Sequence, residues 1–568
     1  MISRITAERP GTPCPWPRVP ERSITRSVDN ADEACQRISD WLHKCTTSHT
    51  CESGQVLAFL PKRVVEIRAP ERVRLYCSEK NQEGIYLCLS HCWGGKVPLQ
   101  LTKATFQIFQ QDIPWKKLPL TFQQAISLTR KLGFRYLWID SLCILQDDLD
   151  DWREEGSNMA SIYSGARLTL AATGSPDSNG GLHRSQTAES NSMDGKALTL
   201  HHFVDKEGSA YSICVRSITD ARRFVYRDLP LQKRAWFFQE WLLSPRIVHF
   251  TESMLFWECL AVEQGEDGTR LARSEYSGAG KRSTLVSFDQ TPRDSLSTLS
   301  QSSFQRFVWH ELVHSYSTLQ LSYSTDVFPS LQGVTTRVAA KRQSRYYAGL
   351  WEDSIVVDLL WLSYGGLSNV SHHKDEYLAP SWSWASATRK SLAHGVMWQD
   401  WYWTLGPDYQ SEFIPEVSVV SIMTKTVDDN PFGQVLSGEL VLKGVCLPAW
   451  QMEGHLIPRT NRLEEYDYLC SFGLYSEGDF ERLYEWHPDN ESILSRSSDI
   501  QLMLIGSWPR IKSPWATKNY AYESWFLAFE CIDPVGDIYR RLGVFYTMRL
   551  AFRARFLREA TEQELTII

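Results

Sequence analysis

The chain has no run of the roughly 18 uninterrupted apolar residues that a membrane-spanning helix requires. The nearest candidates, Ile355 to Leu362 and Glu439 to Trp450, are too short or too polar. Basic residues are not in excess: 60 Lys plus Arg stand against 67 Asp plus Glu, for a formal net charge of −7. With no basic stripe either, the usual electrostatic footprint of a nucleic-acid binder is missing. Met1-Ile2-Ser3-Arg4 opens no apolar stretch of the kind that starts a secretory signal, so a cytoplasmic location is expected. Neither Gly-x-Gly-x-x-Gly nor Gly-x-x-x-x-Gly-Lys-Ser/Thr occurs, which disfavours a dinucleotide-dependent dehydrogenase and a P-loop ATPase. No internal repeat is found.

What is present is ordinary in bulk. The 568 residues suggest two to four domains, and 43% hydrophobic with 22% charged residues can bury a real core. Tryptophan stands out with 22 copies, so many indoles must line cores, interfaces or a pocket. The 13 cysteines are an odd count, which argues for reduced thiols. Cys88 and Cys143 sit inside apolar runs and read as small buried hydrophobes.

Five segments are expected. Residues 1–83 form an N-terminal extension whose first 25 or so residues, rich in Pro, Arg and Ser, should lack fixed structure. A helix follows over Ala31 to Lys44, with Ile38, Trp41 and Leu42 on one face, then short strands at Val64–Ile67 and Val73–Tyr76. Cys45, His49 and Cys51 follow the helix at C-x-x-x-H-x-C spacing, three of the four ligands of a zinc site. No fourth ligand comes at a standard spacing, so no metal is assigned. Residues 84–260 form an α/β core. Residues 261–305, dominated by Ser, Thr, Gly, Arg and Asp, read as a flexible linker. Residues 306–376 form a helical segment, with helices at Trp309–Leu321 and Ala348–Tyr364. Residues 377–568 form a β-rich region, with strands such as Gly438–Leu447 and Gly543–Arg549.

In the core, Ile85 to Leu89, Tyr136 to Ile139 and Leu168 to Ala172 are continuous apolar runs without alternation, as in strands buried on both faces. Between them lie two helices. Thr121 and Gln124 form a capping-box pattern that opens the first, and Gly133 stops it. Asp150 or a neighbour caps the second, which runs to about Ser164. Gly174 to Asn191 reads as a polar loop, Arg234 to Leu243 as a helix, and Arg246–Phe250 with Met254–Trp257 as a hairpin. The β-α-β-α-β order predicts a parallel sheet covered on both faces.

Ligands of such sheets bind outside the carboxyl ends of the strands. Here these ends are Ser90-His91-Cys92-Trp93-Gly94-Gly95 and Asp140-Ser141, followed by Gln146-Asp147-Asp148. Ser90 and Asp140 read equally as ligand contacts or as a turn-holder and a helix cap. Cys92 beside His91 is a poor nucleophile–base pair, because sequence neighbours rarely form one. Arg234, Trp236, Gln239 and Glu240 cluster on one short helix, where they hold the rim together or touch ligand. At about 100° per residue, Trp152, Met159, Ile162, Tyr163 and Ala166 form one apolar stripe. Glu155 falls inside it and Glu154 on the opposite face. A carboxylate there must pair with a buried Arg or face a cavity, and its place near the helix start suits its charge.

Three long motifs carry a family resemblance. They are Tyr86 to Gly94; Tyr136 to Asp148, continuing through Trp152, Glu155, Met159, Ile162-Tyr163 and Ala166; and Arg234 to Glu240, with Leu242-Leu243-Ser244 and Arg246. Together they resemble the fungal heterokaryon-incompatibility (HET) domain. Flanking segments, among them Leu60 to Val64, Asp326 to Gly333, Gly349-Leu350-Trp351 and Ala379 to Ser386, resemble chains of this type as well. The resemblance implies a role in non-self recognition and programmed cell death. It also implies a core distantly similar to TIR domains, hence a flavodoxin-like parallel sheet, and self-association through that core. Some TIR domains hydrolyse NAD with a glutamate, for which Glu155 is the matching position. The TIR glutamate stands four residues after a Trp, whereas Trp152 is three before Glu155. By the same resemblance NAD is a substrate rather than a cofactor, and Ser90, His91, Trp93, Gly94, Asp140 and Ser141 would contact it. Ser90 and Asp140 would touch ribose or phosphate and Trp93 would stack on a base. A non-catalytic signalling module and a specialised-metabolism enzyme on the same fold are the alternatives. The recognition partner is not named by the sequence.

Overall fold

The structure is a computed structural model that describes residues 3–8, 31–49, 51, 58–95, 99–182, 199–204, 210–217, 228–252, 254–266, 301–364, 377–387, 395–398, 413–428, 430–448, 484–488, 500–509, 522–547 and 550–568. The chain divides into two compact units, Met1–Ser283 and Thr284–Ile568.

In the first unit, helix α1 (Ala31–Ser48) buries Ala34, Ile38, Trp41 and Cys45, the face its periodicity marks. The strands that follow are β1 (Arg63–Ala69), β2 (Arg72–Cys77) and β3 (Tyr86–Ser90). Helices α2 (Phe106–Gln111) and α3 (Leu120–Lys131) lead to β4 (Tyr136–Trp138) and the single-turn α4 (Asp140–Cys143). Then come α5 (Leu149–Gly165), β5 (Leu168–Ala171), α6 (Ala235–Leu243), β6 (Arg246–Phe250), β7 (Leu255–Cys259) and β8 (Glu263–Gly265). The eight strands make one sheet in the order β8-β7-β6-β5-β3-β4-β1-β2.

The sheet is mixed, where an all-parallel one was expected. Only β4, β3, β5 and β6 run parallel. The hairpins β1–β2 and β6–β7 add antiparallel edges, because a short turn can join only antiparallel strands. Residues 63–77, placed in the extension by sequence, therefore supply two strands to the same sheet. Chain direction across the sheet reverses at β3: β4 lies on one side of it and β5 on the other. Right-handed crossovers then put α3 and α5 on opposite faces. Accordingly α3 meets α1, and α5 meets α6.

Two local expectations change. The capping box does not form. Helix α3 starts after Pro119, while Thr121 accepts a hydrogen bond from Gly181 N and Gln124 from Leu182 N, so both side chains hold a distant loop. Gly133 does end that helix, at φ 84°. Asp148, a neighbour of Asp150, caps α5 as expected, accepting from the amides of Asp150 and Asp151. Residues Ser3–Glu8, expected to lack structure, pair antiparallel with Ala210–Ser217, which also pairs with Thr199–Val204. The rest of the Pro-rich start, residues 183–191 of the polar loop and residues 267–300 of the linker lie outside the described residues.

The second unit combines helices and a large sheet. Gln301–Ser317 and Gln332–Arg342 are helical. The helix expected over Ala348–Tyr364 is broken into the strand Leu350–Trp351, the short helix Ile355–Asp358 and the strand Leu362–Tyr364. The reason lies in Asp358, whose carboxylate accepts from Trp351 N at 2.9 Å and from His310 at 2.9 Å, folding the segment back on itself. Trp309, Trp351, Trp361, Trp382 and Trp384 are fully buried here, which places much of the tryptophan excess in a core. Gly349, at φ 100°, lies so close to Trp384 that a Cβ would overlap the indole nitrogen at 2.3 Å. Strand Val435–Pro448 encloses the expected Gly438–Leu447, and Ile538–Thr547 covers residues 543–547 of the expected Gly543–Arg549, whose last two residues lie outside the described ones; both belong to an eight-stranded sheet. Among the described residues, no helix is long and apolar enough to cross a membrane.

Candidate functional site

The carboxyl ends of β3 and β4 carry a set of polar side chains held by one another. Ser90, the last residue of β3, donates to Glu240 on α6. Tyr163 on α5, whose hydroxyl donates to the Leu89 carbonyl at 3.4 Å, lies beside Glu240. Burial pushes the Glu240 carboxyl up to about 7, while Arg234 and these two hydroxyls oppose the rise. Arg234 in turn donates to the carbonyl of His91. Trp93 donates its indole N–H to Asp140 Oδ2 at 2.8 Å, and Asp140 Oδ1 accepts from Ser141 N at 2.6 Å. The ends of β3, β4 and α6 are thus laced together by Ser90, Trp93, Asp140, Arg234 and Glu240.

Two polar groups at the same rim have no partner. His91 Nε2 and Ser141 Oγ are buried without a hydrogen bond. The His91 ring sits edge-on to Phe122 at 4.9 Å, and its Nδ1 is 3.8 Å from Asp140, outside hydrogen-bond reach. Burial pulls the imidazole down to about 4, so His91 is neutral at physiological pH. Gly94 (φ 75°) has no free space beside it: a Cβ would lie 2.0 Å from Asp177 Cβ. Gly95 (φ 68°) faces open space. Cys92 is buried and its thiol pushed up by that burial, the opposite of an activated nucleophile.

Glu155 occupies the buried face of α5, as the angular reading predicts, and is 1% exposed. Buried Arg63, from the start of β1, is the arginine near it. Arg63, however, donates to Asp151, one helical turn earlier, and to the carbonyl of Cys143. Glu155 makes no hydrogen bond, and its Oε2 is buried and orphaned. Burial pushes its carboxyl up to about 7, against the pull of Arg63 and Lys62. Glu154 sits in solvent on the opposite face, where it binds Lys62 at 2.6 Å. Half-buried Trp152 and Trp236 pack edge to face at 6.0 Å, joining α5 to α6.

Sequence reading had not placed Arg63, Asp151 or Tyr163 in the site, whereas Glu240 reads as a residue that holds the rim or touches ligand. The signal for Glu240 was its place in the third motif; Arg63 could be found only through its strand pairing. A second buried network, Thr173–His249–Glu258 with Trp241, joins β6, β7 and α6 and was not foreseen. Cys45, His49 and Cys51 come together with Cys259. That cluster lies at the start of β6, where Arg246 pairs with Cys259, the opposite end of the parallel strands from the rim.

Fold and site together define an α/β module with buried carboxylates behind the ends of its parallel strands. Residues 86–240, from the first residue of β3 to Glu240, match the family model described as "Heterokaryon incompatibility protein (HET)". The chain carries a HET domain over that span. No curated protein and no solved structure matches the chain.

Proposed function

We propose that the HET domain acts in fungal non-self recognition and cell death by hydrolysing NAD, with Glu155 as the catalytic carboxylate. The observation that carries this reading is the contrast within α5. Asp151 takes the buried arginine, and Glu155, one turn on, is left buried with an unpaired oxygen. Such a group costs stability, and costs of this kind are retained where function needs them. Cleavage of the nicotinamide–ribose bond passes through an oxocarbenium-like state. A carboxylate held out of water, with Arg63 and Lys62 near enough to favour its ionised form, would stabilise that positive charge. The reversal of strand order at β3 supports the likeness to TIR domains, because ligands of doubly wound sheets bind at such a switch point. Asp140, Trp93 and the unpaired groups of His91 and Ser141 stand at that point. Nicotinamide release from NAD by the purified chain, with Glu155→Gln beside the wild type, tests the proposal.

One observation favours a second reading, a non-catalytic signalling module. Ser90, Trp93, Asp140 and Arg234 spend hydrogen bonds on other residues of the rim. An intact NAD pool in cells that still die on expression would favour it. Self-association and a cytoplasmic location belong to both readings.

A further inference from the structure

Cys45 lies on α1 and His49 just beyond its end, one turn on, where the His49 amide donates to the Cys45 carbonyl, and Cys51 follows. The ligand that local spacing lacks comes from Cys259, at the end of β7 and 210 positions after His49. One ligand atom from each of the four residues lies within 4.8 Å of all the others. Cys259 Sγ is 3.5 Å from His49 Nδ1. Zinc bonds of about 2.3 Å to sulfur and 2.0–2.1 Å to nitrogen, at tetrahedral angles, require sulfurs roughly 3.8 Å apart and a sulfur–nitrogen distance of roughly 3.5 Å. The cluster is therefore already close to the size of a bound ion's ligand shell. All three cysteines are buried free thiols.

The surroundings suit a charged site. Three thiolates, one neutral imidazole and Zn²⁺ carry a net charge of about −1, which needs compensation when buried. Arg246, itself buried, donates from Nε to Cys45 Sγ at 3.3 Å. The backbone amides of Ala261 and Val262 donate to Cys259 Sγ. Such outer partners orient ligands and moderate their charge.

We propose that Cys45, His49, Cys51 and Cys259 bind one zinc ion in a closed Cys3His site that fastens α1 to β7. Four protein ligands leave no open position, so the role is structural. Cys45, His49 and Cys51 precede the matched HET span and Cys259 follows it. The ion thus staples the two flanks of the domain to each other, and the folding unit extends well past residues 86–240.

The test is metal content. The full chain, purified under reducing conditions from zinc-supplemented cells, is expected to hold about one zinc per chain by elemental mass spectrometry. Cys259→Ser should hold less than a tenth of that, while Cys35→Ser, outside the cluster, should keep it. To separate loss of metal from misfolding of Cys259→Ser, a second measurement uses the wild-type chain with cobalt(II) exchanged for zinc. The intense visible bands of a tetrahedral thiolate complex are expected. Folded wild-type chain without zinc, a pale octahedral cobalt spectrum, or a Cys45–Cys259 or Cys51–Cys259 disulfide found by intact mass would each overturn the proposal.

Discussion

Ser90, at the end of a central strand, donates its hydroxyl proton to Glu240, which lies 150 positions later on the helix that closes the HET domain. The first and third motifs are therefore joined by a buried bond, beside the one from Arg234 to the His91 carbonyl. Replacing Ser90 with Ala removes the donor from the buried Glu240 carboxyl. A hydrogen bond to a buried charged group is worth about 1.5–3 kcal/mol. The expected outcome is a loss of that order in urea-unfolding stability, with Ser90→Thr losing less.

Glu155 makes stability depend on pH in a stated direction. Its carboxyl titrates near 7 in the folded chain against an ordinary value of 4.5. Between those values the folded state holds a proton that the unfolded state has released. This contribution to stability is present below about pH 4.5 and is lost as pH rises through about 7. The full loss is about 3 kcal/mol. Glu155→Gln cannot titrate, so its stability relative to wild type should be roughly 2–3 kcal/mol better at about pH 8 than at about pH 5. An equal difference at both pH values would mean that Glu155 is paired or solvated.

The two glycines after Trp93 should behave differently. Both have positive φ, but only Gly94 is pressed against the Asp177 backbone. Gly95→Ala should cost about 1 kcal/mol for the left-handed backbone alone. Gly94→Ala must also displace the 176–178 loop, and a larger fall in melting temperature is expected. Comparing the two melting curves checks whether Gly94 serves loop packing.

Much of the core was legible because its signals are local. Uninterrupted apolar runs marked β3, β4 and β5, and helical periodicity alone separated Glu155 from Glu154. What stayed hidden depends on partners distant in sequence. The capping-box residues Thr121 and Gln124 were drawn off by the amides of Gly181 and Leu182. Arg63 reached α5 only because β1 pairs beside β4. Cys259 met His49 through a hairpin at the far side of the sheet, a contact that no spacing rule describes. The rim residues Ser90 and Asp140 were visible as polar strand ends, but not that Glu240 and Trp93 would occupy them.

The most direct test of the proposed chemistry is nicotinamide release from NAD, followed against pH for wild type and Glu155→Gln. The proposal predicts release by the wild type that rises as pH passes about 7, where Glu155 becomes ionised, and a loss of at least a hundredfold in the folded Glu155→Gln chain. Release by Glu155→Gln equal to that of wild type, or none from a folded and assembled wild type, would contradict it.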